Sequence, residues 1–536
     1  MGYIRGSTRS RLVSQLTILG RASLAGALIC SVLGLLGGCA GLPKLEGRVA
    51  SAALTDTADT RLGRGVQAAA AQHPGRSGIY PLEIPQDAFA ARVLLVRAAE
   101  RSLDVQYYIW HGDTTGFLLL EEVWNAAQRG VRVRLLLDDN GIAGLDAVIA
   151  ALDSQPNIEV RLFNPFASRN FKTLGFITDF SRLNHRMHNK SLTADTQATI
   201  VGGRNVGDEY FGATEEMVFA DLDILAAGPI AGEVASAFDA YWNSASAYPA
   251  HSLIAAAGPD AAAALKAKFA AVRESPEAAK YIEAVRGTQL VERLVAQELT
   301  LEWVPVRLVY DAPSKALGEA KDSELLFPRL EHTIGKVDGQ IDIISPYFVP
   351  GKEGTEALCG LSGRGIRLRI VTNSLAATDV GAVHAGYAKR REPLLRCGVS
   401  LYELKPDARQ AVVVVAPRGR ARRLGSSAAS LHAKTFSVDR NRVFVGSFNL
   451  DPRSVRLNTE MGLVIDSAPL AGAISSGLDR VLGRATYEVT LDGHGDLEWV
   501  ERTERGEVLY HSEPKTGLFR RLGIGFISWL PIEGML

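Results

Sequence analysis

Charge of neither sign is in excess in this chain of 536 residues, because 59 basic side chains balance 59 acidic ones. Proteins that act on nucleic acids normally carry a basic excess or a basic stripe, so this balance argues against that class. Cysteine is scarce, and neither Cys359 nor Cys397 lies in a C-x-x-C or histidine-rich pattern typical of a metal site. The apolar run at residues 24–36 is shorter than the roughly 20 residues that a membrane-spanning helix needs.

The start of the chain combines a basic segment, this apolar run and the sequence Leu36-Gly37-Gly38-Cys39. The order is typical of a bacterial secretory signal, and its ending is similar to a lipobox, in which the cysteine becomes the lipidated first residue. We predict a lipoprotein signal peptide over residues 1–39, with an uncleaved membrane anchor as the alternative. Ala40 favours sorting to the outer membrane of a bacterial cell envelope, facing the periplasm. Export would permit a disulfide between Cys359 and Cys397, with two free thiols as an equal alternative.

One pattern, H-x-K-x4-D, occurs twice, at residues 188–195 and 432–439. Each copy continues with a Gly-x-x-Asn sequence and, eleven residues after the asparagine, a glutamate. The shared positions are His188, Lys190, Asp195, Asn205 and Glu216 in the first copy and His432, Lys434, Asp439, Asn449 and Glu460 in the second. Histidine, lysine, aspartate, glycine and asparagine recur in register, each time followed by a matching glutamate. This repetition indicates a duplicated catalytic cassette.

The spacing of each histidine and lysine predicts a shared pocket. We expect each H-x-K to lie on a strand, where residues i and i+2 point to the same face. His188 and Lys190 would then face one space, as would His432 and Lys434. Two imidazoles and two ammonium groups together suit a phosphodiester, and the asparagines can add hydrogen bonds. One neutral histidine can attack phosphorus while the other, protonated, gives its proton to the leaving oxygen.

The carboxylates of the cassettes divide into two kinds. Asp195 and Asp439 stand five positions after the lysine, and we expect them to tie down a turn rather than to take part in the chemistry. Glu216 and Glu460 are the better candidates to hold each imidazole through Nδ1, because a carboxylate there fixes tautomer and orientation. Glu215 is an alternative to Glu216.

The cassettes resemble the paired HKD motifs of the phospholipase D superfamily. Residues 202–211, 238–243 and 449–454 are similar to its cardiolipin synthase C branch. The resemblance implies a membrane-associated phosphatidyltransferase without metal or cofactor, acting on phospholipids such as phosphatidylglycerol or phosphatidylethanolamine through a phosphohistidine. It also implies that His188 is the nucleophile and His432 the acid and base. Hydrolysis of phospholipids to phosphatidic acid is the alternative, and a phosphodiesterase or nuclease of the same superfamily is a second one.

The duplication also predicts the fold. Residues 129–137 have a counterpart in residues 364–371, and strand-like and helix-like stretches alternate around both. We predict an α/β protein with two pseudo-symmetric phospholipase D-like domains, each a mainly parallel or mixed sheet flanked by helices, with the active site at their interface. The expected segments are a flexible tether (40–78), a first domain (79–250, motif 183–210), a helical connector (251–300), a second domain (301–510, motif 427–454) and an amphipathic tail (511–536).

Overall fold

Two α/β domains, each built on a large mixed sheet flanked by helices, make up the structure. The computed structural model describes residues 41–169, 172–214, 217–408, 428–529 and 533. The predicted signal peptide, Cys39 and Glu216 lie outside these residues. One sheet has nine strands and the other has ten, which confirms the predicted fold class.

The first sheet is assembled from strands in the N-terminal half. The strands of this half are β1 (Ser77–Leu82), β2 (Ser102–Ile109), β3 (Arg132–Gly141), β4 (Ile158–Phe163), β5 (Ser191–Ala194), β6 (Ala198–Gly202), β7 (Met217–Ala220), β8 (Asp223–Ala227), β9 (Ala247–Pro249) and β10 (Glu302–Val304). Nine of them pair in the order β10-β1-β8-β6-β5-β2-β3-β4-β9. The pairs β2–β3 and β3–β4 are parallel, and the apolar run of β3 is buried, as expected for a central strand covered on both faces.

The second sheet repeats this plan. Its half of the chain contains β11 (Val306–Tyr310), β12 (Gln340–Ile344), β13 (Arg367–Asn373), β14 (Ser400–Leu404), β15 (Ala428–Leu431), β16 (Thr435–Val438), β17 (Arg442–Gly446), β18 (Met461–Asp466), β19 (Thr486–Leu491), β20 (Leu497–Thr503) and β21 (Gly506–Tyr510). The sheet order is β11-β18-β17-β16-β12-β13-β14-β19-β20-β21. Here β12, β13 and β14 are the parallel strands, while β15 leaves this sheet and pairs with β7 of the first half.

Helices cover both sheets and connect them. Those of the first half are α1 (Arg61–Ala70), α2 (Pro85–Ala98), α3 (Thr114–Gln128), α4 (Asp146–Asp153), α5 (Lys172–Thr178), α6 (Phe180–Leu183), α7 (Asp208–Phe211) and α8 (Pro229–Trp242). The connector forms α9 (Ala261–Arg273), α10 (Pro276–Arg286) and α11 (Gln289–Val295). The second half has α12 (Leu326–Ile334), α13 (Gly351–Gly363), α14 (Gly381–Ala388), α15 (Arg391–Arg396), α16 (Pro452–Arg456), α17 (Ala468–Val481) and α18 (Leu518–Trp529).

A buried ion pair marks the duplication inside the sheets. Arg134 on β3 reaches Asp104 on β2 with Nε to Oδ1 at 2.7 Å. Arg369 on β13 reaches Asp342 on β12 in the same way, at 2.6 Å. Each arginine can stay charged inside the domain because a carboxylate on the neighbouring parallel strand pairs with it.

The expected tether does not match the structure. Residues 44–60 lie without regular secondary structure against the first domain, and α1 and the start of β1 follow before residue 78. Arg48 donates to the carbonyl of Ala247 at 2.9 Å, and the Nδ2 of Asn243 donates to that of Ser51. Asp239 accepts from the backbone N–H of Ala53. The tether prediction is therefore wrong for this segment, because polar side chains of the domain satisfy its extended backbone.

The connector and the second domain boundary also depart slightly from expectation. Leu265, Phe269 and Tyr281 of the connector are buried in the core of the first domain, so the connector is a layer of that domain. β10 pairs with β1 in the first sheet, and the second sheet begins only after Pro305.

Cys359 and Cys397 form a disulfide, which decides between the two alternatives that the sequence left open. Among the helices of the described ranges, none is both long and apolar enough to cross a bilayer.

Candidate active site

The two H-x-K segments lie at corresponding edges of the two sheets. They precede β5 and β16 directly, so the prediction that they lie within strands is off by one to three residues. Because β5 runs antiparallel to β2, and β16 to β12, both segments meet the carboxyl ends of the parallel strands. Ligands of α/β sheets commonly bind at that edge.

Backbone bonds join each H-x-K segment to the opposite half. The N–H of His188 donates to the carbonyl of Thr459 at 2.8 Å, and the N–H of His432 donates to that of Ala220 at 2.8 Å. Met187 forms a parallel bridge with Thr459, and Leu431 pairs with Ala220 at the end of β15 and β7. Met187 and Thr459 are followed by His188 and Glu460, and Leu431 and Ala220 are followed by His432 and Asp221. Each pairing therefore brings a histidine of one half next to an acid of the other. The site is therefore assembled across the domain interface.

His188 is held by Glu460, which belongs to the second half. Its Nδ1 lies 2.8 Å from Oε2 of Glu460 and 3.1 Å from the carbonyl oxygen of Ser447. A carbonyl can only accept, so Nδ1 carries the hydrogen and Nε2 the lone pair. Burial, together with Lys190, Lys434 and His432, lowers the pKa of His188 well below its usual value.

His432 is held in the reciprocal way by Asp221 of the first half, with Nδ1 to Oδ2 at 2.6 Å. Its ring is packed edge-on by Tyr210 and at a tilt by Phe219. Burial opposes ionisation of Asp221, but His432, Lys434 and Arg204 outweigh it and lower the pKa of this carboxyl to about 2. Burial and Lys434 lower the pKa of His432, and Asp221 counteracts them.

Asp221 holds Nδ1 of His432, the role that the sequence predicts for Glu216. In the sheets, Gly202 pairs with Asp223 and Gly446 pairs with Gly462. Asp221 stands two residues before Asp223, and Glu460 stands two residues before Gly462, so the two acids occupy corresponding positions. Asp221 follows Asn205 by sixteen residues (221 − 205), whereas Glu460 follows Asn449 by eleven (460 − 449). The first half thus contains five additional residues, around β7, and the matched spacing of the glutamates misses them.

The carboxylate beside His188 differs electrostatically from the one beside His432. Burial raises the pKa of Glu460 to about 7, although Lys190 and the hydroxyl of Ser447 favour the ionised form. Ser447 donates to Oε2 of Glu460 through its side chain. Behind it, Asp311 accepts from the N–H of Glu460 at 2.8 Å and pairs with Lys315 at 2.9 Å. Glu460 is therefore fixed in place but only weakly acidic.

Both motif lysines are buried beside their histidines. Each folds back, so that Nζ of Lys190 donates to the carbonyl of His188 at 2.5 Å and Nζ of Lys434 donates to that of His432 at 2.5 Å. Lys434 also lies 3.2 Å from Nε2 of His432. Burial lowers the pKa of both lysines. An anion bound between them would favour their charged forms, as a phosphodiester would.

The remaining motif residues have separate surroundings. Asn205 accepts from the N–H of Ile109 and donates to the hydroxyl of Tyr210 at 3.1 Å. Its amide therefore connects the end of β2 to α7. Asn449 is buried, and its Oδ1 meets no donor within the described residues. A phosphodiester oxygen only accepts hydrogen bonds, so the predicted bond would need Nδ2 of Asn449, and not this unpartnered Oδ1, as its donor.

The motif aspartates cap turns. Asp195 accepts from the backbone N–H groups of residues 100–102 and adopts a φ of 50°. Asp439 accepts from those of residues 338–340 and has a φ of 51°. Both lie after the strand, at its far end from the histidine. Their carboxylates tie the turns that follow β5 and β16 to the segments that lead into β2 and β12.

A cluster that could hold a metal ion also occurs within the described ranges. His111, Asp113 and Glu209 place ligand atoms within 4.8 Å of one another. Nδ1 of His111 lies 3.1 Å from Glu209, so these two residues already pair with each other. None of the H-x-K residues belongs to this cluster.

Comparison with known proteins identifies the family. The chain matches the family described as cardiolipin synthase, PLD-like domain, over residues 94–242 and 330–482. It is 47% identical over 476 residues to cardiolipin synthase C of Escherichia coli (strain K12), covering 89% of this chain and 100% of that protein. An uncharacterized protein of Helicobacter pylori (strain 26695) is 31% identical over 469 residues, covering 84% and 88%.

Among solved structures, phosphatidylserine synthase of Haemophilus influenzae Rd KW20 is similar in fold. Its TM-score is 0.52 at 14% identity, over 88% of this chain and 100% of that one. At this identity the likeness concerns the fold alone. The family match covers both halves around the two histidines, and the chain belongs to the phospholipase D-like family of cardiolipin synthases.

Proposed function

We propose that this enzyme transfers a phosphatidyl group between glycerophospholipids through a covalent phosphohistidine, in the manner of a cardiolipin synthase. The observation that carries the proposal is the reciprocal pairing of His188 with Glu460 and of His432 with Asp221 across the interface. Two oriented imidazoles beside two buried lysines fit displacement at a phosphodiester. The relative named cardiolipin synthase C, 47% identical over nearly the whole chain, supports the choice of substrate class.

The first half-reaction forms the phosphohistidine. Nε2 of His188 attacks phosphorus, and the bond between phosphorus and the oxygen of the donor's headgroup alcohol breaks. His432 gives its Nε2 proton to that oxygen. Phosphatidylglycerol as donor would release glycerol, and phosphatidylethanolamine would release ethanolamine.

The second half-reaction reverses these roles. His432, now neutral, removes the proton from a hydroxyl of the acceptor lipid, and the oxygen forms a new bond to phosphorus. The bond between phosphorus and Nε2 breaks, and its electron pair returns to His188. A glycerol hydroxyl of phosphatidylglycerol as acceptor gives cardiolipin, whereas water gives phosphatidic acid by the same chemistry.

The unequal carboxylates support His188 as nucleophile. Asp221 is ionised at neutral pH and favours an imidazolium at His432, as the general acid requires. Glu460, with a pKa of about 7, gives weaker support to a positive charge on His188, whose own pKa burial lowers well below the usual value. His188 is thus the histidine better suited to attack in its neutral form.

Lipid analysis tests the proposal. Wild type, His188→Ala and the exposed control His494→Ala would each be expressed in a bacterium that lacks cardiolipin. We expect cardiolipin with wild type and the control, and none with His188→Ala. Phosphatidic acid without cardiolipin would establish hydrolysis instead, and an unchanged lipid profile with wild type would refute the proposal.

We also propose that the enzyme is held at the bacterial envelope by lipid on Cys39. The support is the basic segment, apolar run and Leu36-Gly37-Gly38-Cys39 sequence. Cys39→Ser should leave an unprocessed or mislocalised precursor. Mass analysis of the mature N-terminal peptide decides the matter: an unacylated peptide that begins elsewhere would refute the anchor, and recovery away from the outer membrane would refute the sorting.

A further inference from the structure

The C-terminal helix α18 exposes an apolar ridge. Leu518, Phe519, Leu522 and Phe526 lie at spacings that share one face of a helix, and they are 60%, 89%, 60% and 70% exposed. The opposite face packs against α14, where Ile524 lies over Gly381. Exposure of such large apolar side chains to water is unfavourable, and a contiguous patch of them marks a surface that binds a partner or a membrane.

The charges of this segment indicate what kind of surface it meets. Arg520 is exposed and Arg521 partly so, whereas Lys515 nearby is already paired with Asp407 at 2.6 Å. The sequence contains no acidic residue between Glu513 and Glu533. An apolar face flanked by arginines without acids is typical of helices that lie in the interface of an anionic bilayer. Two copies of the chain meeting through this ridge would bring their arginines together, which argues against self-association.

The helix lies next to the loop that borders the active site. Arg520 donates to the carbonyl of Thr378 at 3.3 Å. The next residue, Asp379, accepts from the hydroxyl of Tyr347 at 2.7 Å. Asp379 also acts electrostatically on Lys434, opposing the burial that lowers the pKa of this lysine. The ridge and the motif lysine are therefore connected through a single short loop at the carboxyl end of β13.

The first domain contributes apolar side chains at the corresponding edge. Ile177 on α5 and Phe180 on α6 are exposed, and both lie on the connection from β4 to the segment that carries His188. The carboxyl ends of β4 and β13 belong to corresponding edges of the two sheets, on the side where the H-x-K segments meet. Apolar groups thus occur on both domains around that side.

We propose that α18 docks the enzyme on an anionic phospholipid bilayer, with the ridge in the interface, the arginines on lipid phosphates and the active site turned toward the lipid. The proposal rests on the proposed function, since a phosphatidyltransferase must take its substrate from a bilayer. It adds a defined docking element, separate from the catalytic residues and from any lipid at Cys39.

Hydrogen exchange on the full chain reconstituted into vesicles tests the docking directly. We expect slower exchange over 518–529 in vesicles that contain phosphatidylglycerol than in vesicles of phosphatidylcholine alone. Equal exchange in the two would overturn the proposal. Protection that grows with protein concentration in detergent, without vesicles, would overturn it in favour of a contact between copies of the chain.

Variant kinetics provide the second measurement. Phe519→Ser combined with Phe526→Ser should weaken apparent affinity for phosphatidylglycerol vesicles by roughly one to two orders of magnitude. Turnover of a short-chain, monomeric phosphodiester should stay unchanged, which also shows that the variant is folded. The matched control, Val508→Ser with Leu509→Ser, removes exposed apolar groups from β21 at the edge of the second sheet and should behave as wild type.

The outcomes separate the docking from the chemistry. An unchanged vesicle affinity in the ridge variant, or an equal loss in the control, would overturn the docking proposal. If the wild type shows protection of α18 in phosphatidylglycerol vesicles but turns over neither substrate, the docking stands and the proposed function fails.

Discussion

The two carboxylates that hold the histidines should respond unequally to the loss of charge. Asp221→Asn and Glu460→Gln are isosteric changes at corresponding positions, each removing one carboxylate from an imidazole Nδ1. Asp221 is an ionised partner with a pKa of about 2, and Glu460 a weak acid with a pKa of about 7. If His432 is the general acid, Asp221 should matter more.

The size of the effect follows from the shift at Asp221. Its pKa falls from the usual 3.8 to about 2, which corresponds to net interactions on the order of 2 kcal/mol that favour the charged carboxylate. His432 is the largest favourable contributor, so a loss on the order of 2 kcal/mol, or about 30-fold in kcat, is expected for Asp221→Asn. The carboxylate raises the pKa of His432; without it, His432 loses its proton at lower pH.

Glu460→Gln should behave differently with pH. Below its pKa of about 7 the carboxyl is mostly protonated already, so glutamine changes little charge there. We expect less than about a fivefold loss near pH 6, with a larger loss above pH 7 as the wild-type carboxyl ionises. The loss for Asp221→Asn should instead be present throughout, with the alkaline limb of the rate displaced to lower pH.

Initial rates on phosphatidylglycerol vesicles, measured from about pH 5 to about pH 9, check these expectations. A second substrate with an activated leaving group isolates the proton transfer, because such a group leaves without an acid. Asp221→Asn should then form the phosphohistidine nearly as fast as wild type. Equal losses for both variants near pH 6, or a larger loss for Glu460→Gln, would refute the assignment of His432 as the acid.

Four further experiments test other parts of the protein. His432→Ala should still form a covalent adduct from an activated diester and His188→Ala none; acid quench and peptide mapping that place the label on the His432 peptide would reverse the roles. EDTA should leave activity intact, since imidazoles and ammonium groups supply the chemistry, and loss that a divalent ion restores would contradict this. Cys359→Ser with Cys397→Ser should lower Tm, because a bridge across 38 residues contributes up to about 4 kcal/mol by chain entropy; an unchanged Tm would refute it. Gly203→Ala should reduce activity about tenfold, because its Cβ would lie 2.3 Å from Oδ1 of Asp221, while Gly472→Ala, with open space around it, should not.

The parts of the site that the sequence predicts well are those fixed over short distances along the chain. His188 and Lys190, like His432 and Lys434, share a pocket because two residues of spacing set their relative direction. Asp195 and Asp439 adopt a positive φ in the turns directly after β5 and β16, and this part of their role is local, although the N–H groups that their carboxylates bind lie elsewhere in the same domain. The two-domain α/β architecture follows similarly, because strand and helix patterns repeat in both halves.

The parts that the sequence does not predict depend on contacts between distant segments. Residues 44–60 have no periodic pattern, and their partners, such as Asp239 and Asn243, are scattered polar residues of a helix end. The pairing of Cys359 with Cys397 depends on how α13 and α15 pack, which neither cysteine signals locally. From the sequence alone, a polar segment without periodicity such as residues 44–60 is interpreted as a tether. The sequence also leaves open whether Cys359 and Cys397 are bonded.

The error at Glu216 has the same origin and explains why the two halves need each other. The five additional residues that displace the acid from the matched spacing surround β7, and β7 pairs with β15 of the second half. That pairing ends at Ala220 and Leu431, so the next residues, Asp221 and His432, are brought side by side. In the other direction the Met187–Thr459 bridge does the same for His188 and Glu460. Since each half supplies the histidine of one pair and the acid of the other, neither half alone contains an oriented imidazole, and domain packing is a condition of the chemistry.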